Sequence, residues 1–306
     1  MKIYVAGHRG LVGSAIVRAI ERSDQHTWIG RVRTELDLLD RKAVFDFIES
    51  EKPDWVVIAA AKVGGIRANS EFPVQFLSEN LQIETNLLDA CHASNIRRVL
   101  FLGSSCIYPK MCPQPINEDY LLTGPLEPTN EAYALAKIAG LKLVQAYRAQ
   151  YEHDWISAMP TNLYGPGDNF DLKNSHVLPA LVRKFHEAKK QGVPEVTLWG
   201  SGSALREFLH ADDLATACLH LLENYSGDIA LNVGSGREVS IKELANLIAE
   251  IVGYSGRIVW DVNMPDGTPR KFLDTTRISE TGWTPEVSLE NGIRAVYAGS
   301  VSEAWY

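Results

Sequence analysis

Ile3-Tyr4-Val5-Ala6-Gly7-His8-Arg9-Gly10-Leu11-Val12-Gly13 is the stretch that decides the fold. Ile3 to Ala6 reads as a short buried strand, and Leu11 to Arg22 carries the periodicity of a helix. Between them lie three glycines at G-x-x-G-x-x-G spacing. Glycines there permit a tight turn and let backbone amides approach a pyrophosphate at the helix N-terminus. A glycine turn alone can be a plain helix entry, but the order strand, turn, helix favours the ligand. Gly7, His8, Arg9, Gly10, Leu11, Val12 and Gly13 are therefore expected to bind a dinucleotide.

Outward from this unit the same alternation repeats. His26 to Ile29 reads as a strand, Arg41 to Glu51 as a helix, and Trp55 to Ala60 as a fully buried strand. A long helix from about Pro73 to Ala93 leads into a fourth strand, Arg98 to Leu102. After a proline-rich loop, Thr129 or Asn130 is placed to cap a helix over about 131–150, followed by a strand from Trp155 to Met159. Repeated βαβ units imply an α/β fold, a Rossmann-type doubly wound parallel sheet. Beyond Asn162 the alternation loosens, with helices near Leu178 to Lys190 and Ile241 to Val252. The expected organisation is a dinucleotide-binding domain over 1–165, rejoined by 208–236 through a strand at Ile229 to Val233. A smaller C-terminal α/β substrate domain would comprise 166–207 and 237–306.

Composition narrows the function classes. The 306 residues are 45% hydrophobic and 22% charged, as in a globular enzyme. No apolar run reaches the ~20 residues that cross a bilayer, and the first residues lead into a strand rather than a signal peptide, so a cytoplasmic protein is expected. A formal net charge of −8 argues against a nucleic-acid partner. Four cysteines, Cys91, Cys106, Cys112 and Cys218, match no disulfide framework or zinc spacing, and no metal site is expected.

The end of the second strand tells which nicotinamide is preferred. NAD sites place an acid there to bind the ribose 2′-hydroxyl, whereas this chain has Ile29-Gly30-Arg31-Val32-Arg33. Arginines suit a 2′-phosphate, because guanidinium binds phosphate in a bidentate, charge-assisted way. NADPH is therefore expected, with Arg33 as the favoured contact, Arg31 and Arg9 beside it, and Asp40 near the adenine amino group.

Tyr133-Ala134-Leu135-Ala136-Lys137 puts a phenol and an ammonium on one helix face. A cation beside a tyrosine is expected to bring its pKa toward neutrality and make it a usable acid for an alkoxide oxygen. Ser104, at the carboxyl end of the fourth strand, supplies a hydroxyl for the same carbonyl. Glycine turn, Ser104 and Tyr133-x-x-x-Lys137, in that order, resemble the short-chain dehydrogenase/reductase superfamily. The added C-terminal region is similar to its extended branch, which acts largely on nucleotide sugars.

Further segments narrow the likeness: Ala6 to Gly10, Ala59 to Ile66, Gly103 to Pro109, Pro160 to Pro166, Asn174 to Val177, and Pro265 to Lys271. Together they resemble the family of GDP-L-fucose synthases, bifunctional 3,5-epimerases and 4-reductases of GDP-4-keto-6-deoxy-D-mannose. The resemblance implies that Cys106 is the base removing the C3 and C5 protons and His176 the acid returning them, with Ser104, Tyr133 and Lys137 serving the reduction. A thiol is a base only if its pKa falls, and a cationic neighbour such as Lys137, or a bound nicotinamide, is the expected cause. By the same likeness Pro160, Thr161, Asn162, Leu163, Lys137 and His176 also line the cofactor. Lys184, Trp199 and Arg206 face the GDP-sugar, and Asp266 accepts from its hydroxyls. Lys184 stands where the family has arginine, so bidentate phosphate binding is lost there. Trp199 can equally be core, and Arg206 can pair with Glu207 or Asp212. Related dehydratases carry Thr-Asp-Glu where this chain has Ser104-Ser105-Cys106, which disfavours dehydration, while a 4-epimerase would not need the cysteine. The long helices near 73–93 and 131–150 resemble the dimer contact of the superfamily, so a homodimer is expected.

Overall fold

The computed structural model describes residues 1–172, 175–264 and 266–302; Asn174 and Pro265, quoted above, lie outside the described residues. The first half runs β1 (Lys2–Ala6), α1 (Leu11–Ser23), β2 (Thr27–Ile29), α2 (Arg41–Glu51), β3 (Trp55–Ile58), α3 (Ile66–Glu71), α4 (Pro73–Ala93), β4 (Arg98–Leu102), α5 (Glu131–Tyr151) and β5 (Asp154–Pro160). The remainder is β6 (Asn162–Tyr164), α6 (Val177–Gln191), β7 (Glu195–Trp199), β8 (Leu205–His210), α7 (Ala211–Asn224), β9 (Leu231–Val233), β10 (Glu238–Ser240), α8 (Ile241–Val252), β11 (Arg257–Asp261), β12 (Arg270–Lys271), α9 (Thr276–Glu280) and α10 (Leu289–Ser302).

Six parallel strands form the main sheet in the order β2-β1-β3-β4-β5-β9. The strand period of two divides their side chains between two cores. Ile3, Val5, Val57, Leu100 and Ile156 pack under α1 and α7, whereas Tyr4, Val56, Val99, Phe101 and Trp155 pack under α2, α4 and α5. Both faces are thus covered, which explains why β4 is buried along its whole length. The chain leaves β1 toward β2 on one side and returns to β3 on the other. That reversal opens a crevice at the carboxyl ends of β1 and β3, where ligands bind in such sheets.

A second set of strands stands over this crevice. β8 pairs with β10 and β12 along its first half and with β6 along its second, and β7 pairs with β11. With α6, α8 and α10 they enclose a separate core around Phe185, Leu198, Leu244 and Ile248. Of the segment 208–236, α7 and β9 lie on the main sheet, while residues 208–210 end β8 in the second. No helix among the described residues is long and apolar enough to cross a membrane.

Candidate active site

The glycine turn is shaped for close approach. Gly7 has φ +86°, and a Cβ there would lie 2.8 Å from the Ala60 backbone on β3's extension. A Cβ on Gly13 would lie 2.1 Å from the Gly7 carbonyl, so only glycine lets α1 enter this near to β1. Helix α1 has no side-chain cap and no acid in its first turn. Its N-terminal amides and the positive end of its dipole are therefore free for an anion such as pyrophosphate. His8 packs its ring against Gly30, and burial, followed by the charge of Arg9, holds it below the usual histidine range.

The arginines beyond β2 do not share one role. Arg31 pairs with Glu51 at 2.7 Å, donates to its neighbour Gly30's carbonyl, and lies over the Phe47 ring. Its guanidinium is committed to the fold. Arg33 is exposed and meets Asp37 only loosely, at 3.7 Å, which leaves it able to turn toward a phosphate, as is exposed Arg9. The side chain of Asp40 caps α2 by accepting from Ala43 N, which diverts one of its oxygens from an adenine contact.

Beyond β4 the chain turns sharply. Ser104 is extended, its Oγ accepts from Cys106 N at 3.2 Å, and a short 3-10 turn over Ser105–Ile107 brings the Cys106 thiol back beside it. Lys271, on β12, donates to Cys106 Sγ at 3.3 Å. Burial pushes the thiol up, but the Lys271 charge and hydrogen bonds with Ser104, Lys271 and Asn130 outweigh it, so the thiol lies below its ordinary value. A cationic neighbour such as Lys137, or a bound nicotinamide, is the expected cause; the cationic neighbour in the structure is Lys271. Asn130 occupies the N-cap position of α5 without making a side-chain cap, and its side chain is among the groups that lower the thiol.

Tyr133 stands on the first turn of α5, hydrogen-bonded with Ser104 and edge-on to Phe76. Its phenol is pushed well above the usual range, by burial first and then by Cys106 and Glu84, against the Ser104 hydrogen bond. The expected lowering by Lys137 is absent for a physical reason. Lys137 is buried, lies over the Phe101 ring, and is paired at 3.0 Å with the buried carboxylate of Glu84 on α4. Its charge is already balanced.

His176 is the N-cap residue of α6 at the mouth of the cleft. Desolvation, then the Lys271 charge, holds its imidazole below the usual range, so one lysine acts on both the thiol and the imidazole. Pro160 ends β5, while Asn162 and Leu163 open β6; Thr161 Oγ1 and Asn162 Nδ2 both donate to the Glu207 carbonyl, fixing this wall against β8.

On the far side of the cleft, Lys184 on α6 donates to the Thr197 carbonyl, and Trp199 is 69% exposed, not core. Arg206 is held by neither acid proposed as its partner. The Glu207 carboxylate accepts from Gly236 N and Leu273 N, and Asp212 pairs with Arg18 and Arg22. Burial lowers the pKa of Arg206, whose strand neighbour in register is Lys271. The two carboxylate oxygens of Asp266 accept from Ser201 N and Ser201 Oγ, which ties the 200–203 turn.

Sequence reading missed Lys271, Asn130 and Glu84. A faint signal existed for Glu84: it is a charge within the buried stripe Phe76, Asn80, Glu84, Leu87, Leu88, Cys91 of α4.

A parallel sheet that opens a pyrophosphate turn toward a serine, a tyrosine and a lysine is equipment for nicotinamide-dependent chemistry on a carbonyl. The chain belongs to the NAD dependent epimerase/dehydratase family, which it matches over residues 3–234. It is 57% identical to GDP-L-fucose synthase 1 of Arabidopsis thaliana, over 97% of this chain and 92% of that protein. It is 53% identical to the GDP-L-fucose synthase of Escherichia coli strain K12, over 97% and 95% of the two chains. The solved structure of a GDP-L-fucose synthetase from Naegleria fowleri bound to NADP superposes with a TM-score of 0.92 at 29% identity, over 98% of this chain and 92% of that one.

Proposed function

We propose that the chain converts GDP-4-keto-6-deoxy-D-mannose to GDP-L-fucose with NADPH, inverting C3 and C5 and then reducing C4. The observation that carries this reading is the Cys106 thiol, held beside Ser104 and Tyr133 by Lys271. A simple reductase has no use for a cation-stabilised thiol at that place, whereas inversion next to a ketone needs a base. The similarity to proteins named GDP-L-fucose synthase supports the same substrate.

NADPH would be held by the glycine turn, Arg33 and the wall from Pro160 to Leu163, and would supply hydride to C4. The protein's own groups do the rest. Cys106, as thiolate, removes the C3 and later the C5 proton; the carbanion is an enolate of the C4 ketone, and Ser104 hydrogen-bonds its oxygen. From the opposite face His176 delivers a solvent-derived proton to each carbon, and between the two inversions the thiol releases its proton to solvent while the imidazole takes one up. Tyr133 then protonates O4 as C4 is reduced, so each turnover consumes NADPH and one proton. Lys184, Arg206 and Trp199 receive the GDP moiety, two cations for the diphosphate and an exposed indole for a ring.

The protein is expected in the cytoplasm, without a nucleic-acid partner, given its charge of −8. A homodimer through α4 and α5 is supported by Val74, Leu135 and Tyr151, apolar side chains that these helices leave exposed. Incubation of the purified protein with the keto sugar nucleotide should consume NADPH in preference to NADH. Absence of any NADPH consumption would remove the reading.

A further inference from the structure

Glu84 has no part in the chemistry just derived, yet its carboxylate touches the lysine of the reducing centre. Glu84 and Lys137 are 1% and 2% exposed and 3.0 Å apart. The room for Glu84 is made by Gly140, one turn beyond Lys137 on α5, where a Cβ would stand 2.6 Å from Glu84 Oε2 and 2.5 Å from the Phe101 ring. Among the described residues the Lys137 ammonium is the sole partner of that carboxylate. Burial raises the pKa of Glu84 and the Lys137 charge opposes the rise. As an ammonium and a carboxylate at this distance, the two charges cancel.

A tyrosine that reduces a ketone must hold its proton until hydride arrives, whereas one that oxidises an alcohol must begin as phenolate. An uncompensated ammonium beside Tyr133 would favour the phenolate. We propose that Glu84 is a positioning residue for the reduction: it balances Lys137 and so keeps Tyr133 in the protonated form that donates to the substrate oxygen. The charged and titratable groups that act on Tyr133 are Cys106, from the turn after β4, and Glu84 from α4, with Lys271 and His176 beyond the thiol; Lys137 lies one turn from Tyr133 on α5 and is paired with Glu84. Of these, Glu84 alone faces Lys137. The role rests on reading Tyr133 as the proton donor, and Tyr133 can be titrated without any substrate.

Two measurements test it on Glu84→Gln, which keeps the side chain's shape. One is ultraviolet difference titration of the Tyr133 phenolate, using Tyr133→Phe as reference; the other is the pH dependence of single-turnover NADPH oxidation by the keto sugar nucleotide. Both the phenolate titration and the alkaline loss of rate should move to lower pH by at least about one unit, a tenfold change in proton occupancy. Glu84→Asp should restore the wild-type profile. A uniform loss of rate at every pH, with the phenolate unmoved, is the mark of a merely structural residue and would overturn the proposal. If the phenolate moves but neither protein turns over this substrate, the assigned reaction falls and the role of Glu84 in Tyr133 protonation stands. Should Glu84→Gln not fold, the double variant Glu84→Gln/Lys137→Met removes both charges. Its phenolate should titrate as in the wild type, and a displaced titration would contradict the charge balance.

Discussion

The proposed cofactor half and the proposed proton-transfer half of the cleft are built in opposite ways. The first is local: seven consecutive residues, Gly7 to Gly13, form the turn, and its form follows from where a Cβ cannot fit. The second is assembled at long range. Cys106 meets Lys271 across 165 residues of chain, and Lys137 meets Glu84 across two helices. A local site is fixed by backbone geometry, whereas a long-range one is fixed by charge balance in a buried space. Substitution should therefore damage them differently: changes in the first should alter binding, and changes in the second should alter pH dependence.

The largest effect is expected at Tyr133. Tyr133→Phe removes the proposed general acid and should slow NADPH oxidation about 10²- to 10⁴-fold in single turnover, with NADPH affinity little changed. Cys106→Ser should come next, abolishing solvent-hydrogen exchange at C3 and C5 while leaving reduction of an already epimerised ketone; equal loss of both reactions would refute the division of labour. Lys271→Met sharpens the contrast further. Exchange requires the thiolate, so its rate rises with pH through the thiol's pKa. Without Lys271, burial prevails, and the rising limb of exchange, with that of Cys106 alkylation by iodoacetamide, should shift to higher pH by roughly one unit or more. An unchanged alkylation profile would show that the lysine does not act on the thiol. The smallest effect belongs to the cofactor half. Arg33→Ala should weaken NADPH about ten- to a hundredfold, corresponding to about 1.5–3 kcal/mol for a charged hydrogen bond, and leave NADH unaffected. Loss of both cofactors alike would break the assignment of Arg33 to the 2′-phosphate.

The same contrast decides what was legible in the sequence. The doubly wound sheet could be read because its strands are short β-branched runs between amphipathic helices, and α2 and α8 begin and end where the helical stretches Arg41 to Glu51 and Ile241 to Val252 are read. Ser104, Cys106, Tyr133 and His176 could be singled out by pattern and resemblance. Their electrostatics could not. Spacing puts Lys137 beside Tyr133, but the Glu84 that balances it lies on another helix, and nothing near Cys106 in the chain announces Lys271. Asp266 and Arg31 show the converse: each is the right residue type for its expected ligand, and the fold also engages each of them, through Ser201 and Glu51. A motif names the groups present, whereas only the fold shows which are already paired.

The most direct test of the central claim is the product formed in D2O from GDP-4-keto-6-deoxy-D-mannose and NADPH. GDP-L-fucose carrying deuterium at C3 and C5, with hydrogen from the cofactor at C4, is the predicted result. A reduced 6-deoxy sugar nucleotide without deuterium at C3 and C5 would show that Cys106 and His176 move no protons and would contradict the account.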